Sequence, residues 1–506
     1  MSEEIKDIQI TSGTDKTSSY RSIFKATSLF GGVQLWKILI TIVQTKFVAL
    51  ILGPSGMGIK GLYSSATALI QSITSMGLSN SAVRDVSEAH GSGDAARVSH
   101  TVAVLRRLVW FTGLLGMVTV IILSPVLSKT TFGDYSYTIP FVLLSVSLLL
   151  AQLTAGQNVL LQGTRHYTYL AKASFIGSLA SLIITVPFYY LWGTKGIVPT
   201  IILESLSLFL LAYYFAKKII IEKSNIAVKE AIKEGKGMMG LGIVMTYNAI
   251  LVTAVSYILR VVITRIGGIG DVGLYNAGFA VESTYTGLVF SAMTTDYYPR
   301  LAAENQDNKK CRSIINQQIE ISVLIMGPLM AFFLLVAPVA IIAIYSEKFL
   351  PIIGFLQWAS LSIIFRAIGW AISYQFVAKS DKRAYAINET AIHFIGLPLN
   401  ILGYKLFGIT GLGISSFVIR IVYFMIVFIV AHKKYNYSFS NEVLKVTAIL
   451  SFCLLAMFLL VVLWQSYWSY IPASIVFLLT GGYAYIELDK RLGVKQILAN
   501  YKKKRR

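Results

Sequence analysis

The residues best placed to do chemistry in this 506-residue chain are charges set in apolar surroundings. Lys37, Lys46, Arg260, Arg366 and Arg420 all lie within long apolar runs, where an ionised side chain is costly unless it faces water or a partner. The acids in comparable positions are Glu204, Glu282 and Glu389, with Asp296 and Glu320 nearer the ends of their runs. A cavity whose deepest charges are mainly cationic suits an anionic ligand. Lys and Arg hold phosphate by charge-assisted hydrogen bonds, Arg in bidentate fashion. Lys46, close to the end of its run, can also simply snorkel.

Helical phase, at about 100° per residue, sorts these residues further. Lys37 and Gln44 are seven positions apart and share a face, flanked by Gln34, while Lys46 points the other way. Thr246, Thr253, Tyr257, Arg260 and Thr264 fall into one arc of about 60°. Ser362, Arg366, Trp370 and Ser373 make a second stripe, and Glu282 shares an arc with Tyr275 and Thr286. A polar stripe on an apolar helix faces protein or a water-filled cavity, so these stripes line a cleft or glue helices together. The cationic cleft expected from them comprises Lys37, Arg260, Arg366 and Lys46, with polar lining from Gln34, Gln44, Thr253, Tyr257 and Trp370. For Glu282 three roles stay open: an ion pair with Arg260, a proton or cation site, or plain charge balance.

Other chemistry is poorly supported. Cys311 and Cys453 stand 142 residues apart with no CxxC, and the five histidines show no HxxxH or HExxH spacing, so neither a metal nor a cofactor is expected. The segment GIGDVG (268–273) satisfies the GxGxxG pattern, but it joins two apolar runs and follows no strand, so the match is accidental. No nucleophile with its base and no paired catalytic carboxylates stand out, and enzymatic activity is not expected.

The elements that must position these charges are membrane helices. The chain is 55% hydrophobic and 14% charged with a mean hydropathy of +0.66, which argues against a soluble globular protein. Apolar runs long enough to cross a bilayer fall at about 23–49, 59–83, 107–127, 138–161, 167–191, 195–216 and 239–264. They continue at about 272–297, 317–345, 350–377, 384–404, 408–432, 446–465 and 470–487, which predicts fourteen transmembrane helices. No cleavable signal precedes the first run. The net charge of +21 is sharply sided. Only Lys60, Lys129, Lys195, Arg265, Lys348 and Lys405 fall on the side opposite the termini; apart from the five within spans, every other Lys and Arg falls on the termini's side, which the positive-inside rule makes cytoplasmic. The closing KKKRR (502–506) suits anionic lipid better than nucleic acid.

The chain also repeats itself. GMGIKGLYSSA (56–66) aligns with GIGDVGLYNAG (268–278) at an offset of 212, and GTKGI (193–197) with GITGL (408–412) at 215. Six helices per copy predict a parallel repeat: two six-helix bundles around a central cleft, followed by two extra helices. The expected domains are a cytoplasmic tail (1–22), a first bundle (23–216), a basic linker (217–238) that is either an amphipathic helix on the inner leaflet or a solvated connection with a helical turn, a second bundle (239–432), helices 13 and 14 (433–487) and a basic tail (488–506).

The stretch KFVALILGPSGMGIKGLYSSATALIQSITSMGLSNSAVRDVSEAH (46–90) resembles the O-antigen translocase family of polysaccharide flippases, within the MATE-like (MOP) transporter superfamily. It carries a G-P-x-G-x-G turn, a G-L-Y entry to the next helix and an A-V-R-D end. The resemblance implies movement of an undecaprenyl-pyrophosphate-linked oligosaccharide, an O-antigen or other surface polysaccharide repeat unit, from the cytoplasmic to the outer leaflet of the bacterial plasma membrane by alternating access. Its partners would be that glycolipid, membrane lipids, and a polysaccharide polymerase with other assembly proteins. The rival readings are a lipid II flippase, a cation-coupled drug exporter and a non-transporting scaffold. A drug exporter should offer carboxylates early in each half, where this chain has Lys37 and Lys46.

Overall fold

The computed structural model describes residues 36–493 and Lys495, except Lys223, Asn225, Leu463, Gln465, Ser466 and the side chains of Val244, Tyr285 and Tyr467, and describes residues 3–35 as backbone only. All regular structure among the described residues is helical. That is what a lipid environment demands, because every backbone N–H and C=O must be satisfied within its own segment. In chain order the helices are α1 (Glu3–Thr74), α2 (Leu78–Gly91), α3 (Ala95–Phe132), α4 (Thr138–Gly163), α5 (Tyr167–Trp192), α6 (Ile197–Ala216), α7 (Val228–Glu234) and α8 (Lys236–Gly267). They continue as α9 (Ile269–Ala303), α10 (Asn308–Ile344), α11 (Ile353–Leu361), α12 (Ile363–Ala378), α13 (Lys382–Tyr435), α14 (Asn441–Val462) and α15 (Tyr470–Leu492).

Among the described residues nine helices are long and apolar enough to cross a membrane, or ten if the segment Glu347–Leu361 and the helix Ile363–Ala378, bent by 49°, form one span. The protein is thus a multi-pass membrane protein. The fourteen expected from the sequence are not confirmed by this count of nine or ten. Three of the nine, Trp36–Thr74, Tyr167–Ala216 and Lys382–Tyr435, are 39, 50 and 54 residues long. A straight helix of 54 residues would reach about 80 Å, far beyond a hydrocarbon core of about 30 Å. Each is broken at a glycine: Gly53 (φ 63°, ψ −169°), Gly193 (φ 53°, ψ −130°) and Gly408 (φ 59°, ψ −140°). Across Gly408 the chain doubles back, because Ser415 Oγ donates to Asn400 Oδ1 at 2.6 Å and a Cβ on Gly411 would lie 1.8 Å from the Gly403 carbonyl oxygen. Residues eight apart in a straight helix would be separated by about 12 Å. The predicted span at 272–297, within α9, is not among the nine; it is interrupted by Glu282 and Asp296 and is rich in Ser, Thr and Tyr.

Backbone conformation also corrects the repeat register. Gly193 and Gly408, 215 positions apart, share nearly the same φ and ψ. Gly53 and Gly268 (φ 88°, ψ 177°) are likewise similar and also 215 apart. The glycine of the first connection therefore pairs Gly53 with Gly268, not Gly56 with Gly268, and the 212 offset of the following Gly-Leu-Tyr reflects three extra residues in the first copy.

The close approach of Gly403 and Gly411 yields a direct test. Gly411→Val is expected to splay this hairpin and cost about 3 kcal/mol or more by overpacking. Size-exclusion profiles of a fluorescent fusion should show aggregated or degraded protein, whereas Gly481→Ala, where a Cβ meets nothing within 4 Å, should behave as wild type.

The chain forms two compact units, Met1–Tyr257 and Ile258–Arg506, with the division inside α8. In the first, the Tyr63 ring of the Gly-Leu-Tyr motif packs 5.2 Å from Phe132 and 5.3 Å from Phe141. The basic stretch after α6 belongs to this unit. Ser99 Oγ donates to the Glu222 carbonyl at 2.5 Å and Arg107 Nε to the Ile226 carbonyl at 3.2 Å, so the chain runs non-helically over the end of α3. Within 217–238 the described helix before α8 is the seven-residue α7, whose Ala231 is buried.

In the second unit α10 is the central element. α12 packs on it, and so do α14 and α15, which bury Leu450, Leu454, Met457 and Ala473 in the shared core. Arg491 Nε of α15 donates to Glu320 Oε2 of α10 at 2.6 Å. The last two helices thus share the core of the second unit. The tail beyond Lys495 lies outside the described residues.

Candidate functional site

In the second unit, Glu282 of α9 is nearly buried, with its side chain 8% exposed. Arg366 Nη1 of α12 lies 3.5 Å and Arg420 Nη2 of α13 lies 3.4 Å from the same oxygen, Oε1. Two guanidinium groups thus face one carboxylate, a formal excess of one positive charge. Arg366 is fixed from two further directions: its Nη1 donates to Thr286 Oγ1 at 2.6 Å and its guanidinium lies 5.3 Å from the Phe290 ring centroid. The i, i+4 spacing of Glu282 and Thr286 on α9 makes that double engagement possible. A cavity of about 30 Å³ adjoins Glu282 and Thr286, lined also by Met330, Phe333 and Ser360, with room for about one water molecule.

Arg260 of α8 takes a different partner from the one its helix suggested. Its Nε donates to Asn276 Oδ1 at 2.7 Å, and its guanidinium lies 5.4 Å from the Tyr275 ring centroid. Glu282 is thus held by Arg366 and Arg420 instead of Arg260. Trp370, expected in the polar lining, is partly buried and packs on Phe290, Tyr297 and Tyr374 at 5.0, 5.5 and 5.5 Å, against the apolar core.

In the first unit, Gln44 of α1 faces protein. Its Nε2 lies 3.0 Å from Ser181 Oγ, 2.8 Å from Thr185 Oγ1 and 3.1 Å from Glu204 Oε1. Thr253 and Tyr257 link helices: Thr253 Oγ1 lies 3.1 Å from Ser72 Oγ, and the Tyr257 hydroxyl lies 2.8 Å from Thr131 Oγ1 and 3.2 Å from Thr130 Oγ1. Lys37 is exposed and Lys46 half-buried, and the side chain of Gln34 lies outside the described residues.

Two participants are missing from the set predicted on phase. Arg420 stands out in sequence as an intramembrane base, but no polar stripe accompanies it on its helix. Glu204 likewise stands out only as an acid in a span, because its donors come from two other helices. Among the described residues no group of three or more His, Cys, Asp or Glu is arranged to hold a metal.

The fold recurs in solved transporters. The chain is similar to an inward-facing multidrug resistance MATE family transporter of the MOP superfamily, with a TM-score of 0.67 at 15% identity over 79% of this chain and 94% of that one. It is similar to the lipid II flippase MurJ in an inward closed conformation, with a TM-score of 0.68 at 14% identity over 92% and 99%. A Vibrio cholerae MATE transporter gives 0.54 at 16% identity over 83% and 99%. At these identities the likeness shows the fold alone. No curated protein matches the chain in sequence. A family model described as "Polysaccharide biosynthesis protein" matches residues 47–354, which takes in the glycine breaks at Gly53, Gly193 and Gly268 together with Arg260 and Glu282. Since that match spans more than half of the chain, the protein belongs to this polysaccharide biosynthesis family.

Proposed function

We propose that the protein is a flippase that carries an undecaprenyl-pyrophosphate-linked oligosaccharide, an O-antigen or other surface polysaccharide repeat unit, from the cytoplasmic to the outer leaflet of a bacterial plasma membrane. The observation that carries this reading is the charge imbalance around Glu282: two arginines converge on one carboxylate within apolar spans, leaving a cation for an anionic ligand. Arg260 of α8, in contact with Asn276 and Tyr275 of α9, belongs in this reading to the same set of cations. Pyrophosphate is the group such a set recognises. Membership in a polysaccharide biosynthesis family supports the glycan, and the MOP transporter fold supports movement by alternating access over catalysis. The sidedness of Lys and Arg supports cytoplasmic termini, and the polymerase and other assembly proteins would receive the flipped glycolipid.

The pyrophosphate carries about two negative charges. A negative-inside potential favours its outward passage by roughly 2.3 kcal/mol per charge per 100 mV. The test is flipping of a fluorescent undecaprenyl-pyrophosphate oligosaccharide in liposomes holding the purified protein. Wild type should flip it faster under an imposed potential, and Arg260→Ala should lose at least tenfold. Folded wild-type protein that moves no such lipid under any gradient would defeat the reading.

A further inference from the structure

α3 and α4 present an apolar side to the membrane. Trp110, Leu114, Val118 and Ile121 of α3 are exposed, as are Ile139, Leu143 and Val146 of α4, and on each helix they recur at helical spacing. At the α2 end of α3 this apolar side meets a charge. Arg106 is exposed one turn before Trp110 and so lies on the same side of the helix. A shallow groove opens there between the two helices, floored by Val109, Leu153 and Gly156 and edged by Arg106, Trp110 and Gln157. Gly156 lets the helices close up beneath it, because a Cβ there would lie 2.9 Å from Val109 Cγ2.

Arg106 differs from the other basic residues at this end of α3. Arg97 Nη2 lies 2.7 Å from Glu88 Oε1, His100 Nε2 lies 2.7 Å from Glu234 Oε2, and Arg107 Nε donates to the Ile226 carbonyl. Arg106 has no ion pair or hydrogen bond among the described residues. Neither α3 nor α4 carries an Asp or Glu, so the helices that form the groove offer it no counter-charge.

The order of side chains along α3 matches a phospholipid from head to tail. A guanidinium holds phosphate oxygens by charge-assisted hydrogen bonds, a Trp one turn deeper suits headgroup level, and the apolar side chains beyond it face acyl chains. Gln157, across the groove, offers an amide to the same oxygens. A single guanidinium balances the single charge of a phosphodiester and only part of a pyrophosphate's. In a zwitterionic headgroup the attached ammonium already offsets the phosphate, so an anionic lipid gains more from Arg106.

We propose that this groove seats an anionic phospholipid of the cytoplasmic leaflet, its phosphodiester on Arg106 and Gln157 and one acyl chain along Val109, Leu153 and Gly156. The site stands independently of the flippase reading. The test places the full-length protein in phosphatidylcholine bilayers and titrates in phosphatidylglycerol with brominated acyl chains, since bromine quenches a nearby indole. The Trp110 share of the fluorescence, taken as the difference from Trp110→Phe, should be quenched at a several-fold lower fraction of brominated phosphatidylglycerol than of brominated phosphatidylcholine. Arg106→Gln should raise the phosphatidylglycerol fraction needed by about fivefold. Arg106→Lys should keep most of the preference, and Lys445→Gln, which removes an exposed cation on α14, should leave it unchanged. Equal quenching by the two lipids in wild type overturns the anionic headgroup, and a preference that survives in folded Arg106→Gln overturns the site. Undecaprenyl phosphate that displaces phosphatidylglycerol at a small fraction of its amount would assign the groove to a polyprenyl carrier and overturn the phospholipid as its occupant.

Discussion

Glu282→Ala is expected to be far more damaging to folding than Arg420→Leu, although the two side chains face each other. Removing the acid leaves Arg366 and Arg420 with their charges uncompensated within an apolar bundle, and breaking a buried pair by deleting one partner costs about 3–5 kcal/mol. Removing Arg420 leaves Glu282 still paired with Arg366, which keeps its bond to Thr286 and its place over Phe290. One charge then balances one charge, so the loss should stay near or below about 1 kcal/mol. Thermal unfolding in detergent, followed by intrinsic fluorescence, checks this. Equal losses for the two variants would mean that the cluster behaves as a plain structural triad. A mild Arg420→Leu would mark Arg420 as a cation that the fold itself does not require, which is the signature of a residue kept for a ligand.

How much of this was legible in the sequence depends on how many helices a feature involves. The breaks at Gly53, Gly193 and Gly408 could be placed because apolar length and the glycine pattern are properties of one segment. The register of the repeat could not, because Gly56, Gly58 and Gly61 are equally good matches by letter, and only φ and ψ show which glycine makes the turn. Phase on a single helix puts Gln44 on a polar face, but its partners sit on α5 and α6. The same limit explains Glu282. Its neighbour in sequence order was Arg260, yet its partners come from α12 and α13, and the approach of three helices is not written in any one of them. Trp370 shows the complementary limit: it shares the stripe of Arg366, but its ring contacts with Phe290, Tyr297 and Tyr374 come partly from another helix.

The second large effect is on transport, and the same arginine carries it. With the fold intact, Arg420→Leu is expected to slow flipping of a fluorescent undecaprenyl-pyrophosphate oligosaccharide by about tenfold to a hundredfold. A charge-assisted hydrogen bond to phosphate is worth about 1.5–3 kcal/mol, and each 1.4 kcal/mol is a factor of ten. Arg420→Lys keeps the charge but loses the planar fork that grips two oxygens at once, so it should fall between Leu and wild type. The defect should also depend on the headgroup: a lipid with one phosphate should lose less than the pyrophosphate when Arg420 is removed. Raising the membrane potential should speed wild type and Arg420→Leu by the same factor, because the charge moved through the field belongs to the lipid and not to the arginine. Flipping at the wild-type rate in a folded Arg420→Leu, with Arg260→Ala equally active, would remove the positive cluster from the substrate path and leave it as a lock between helices.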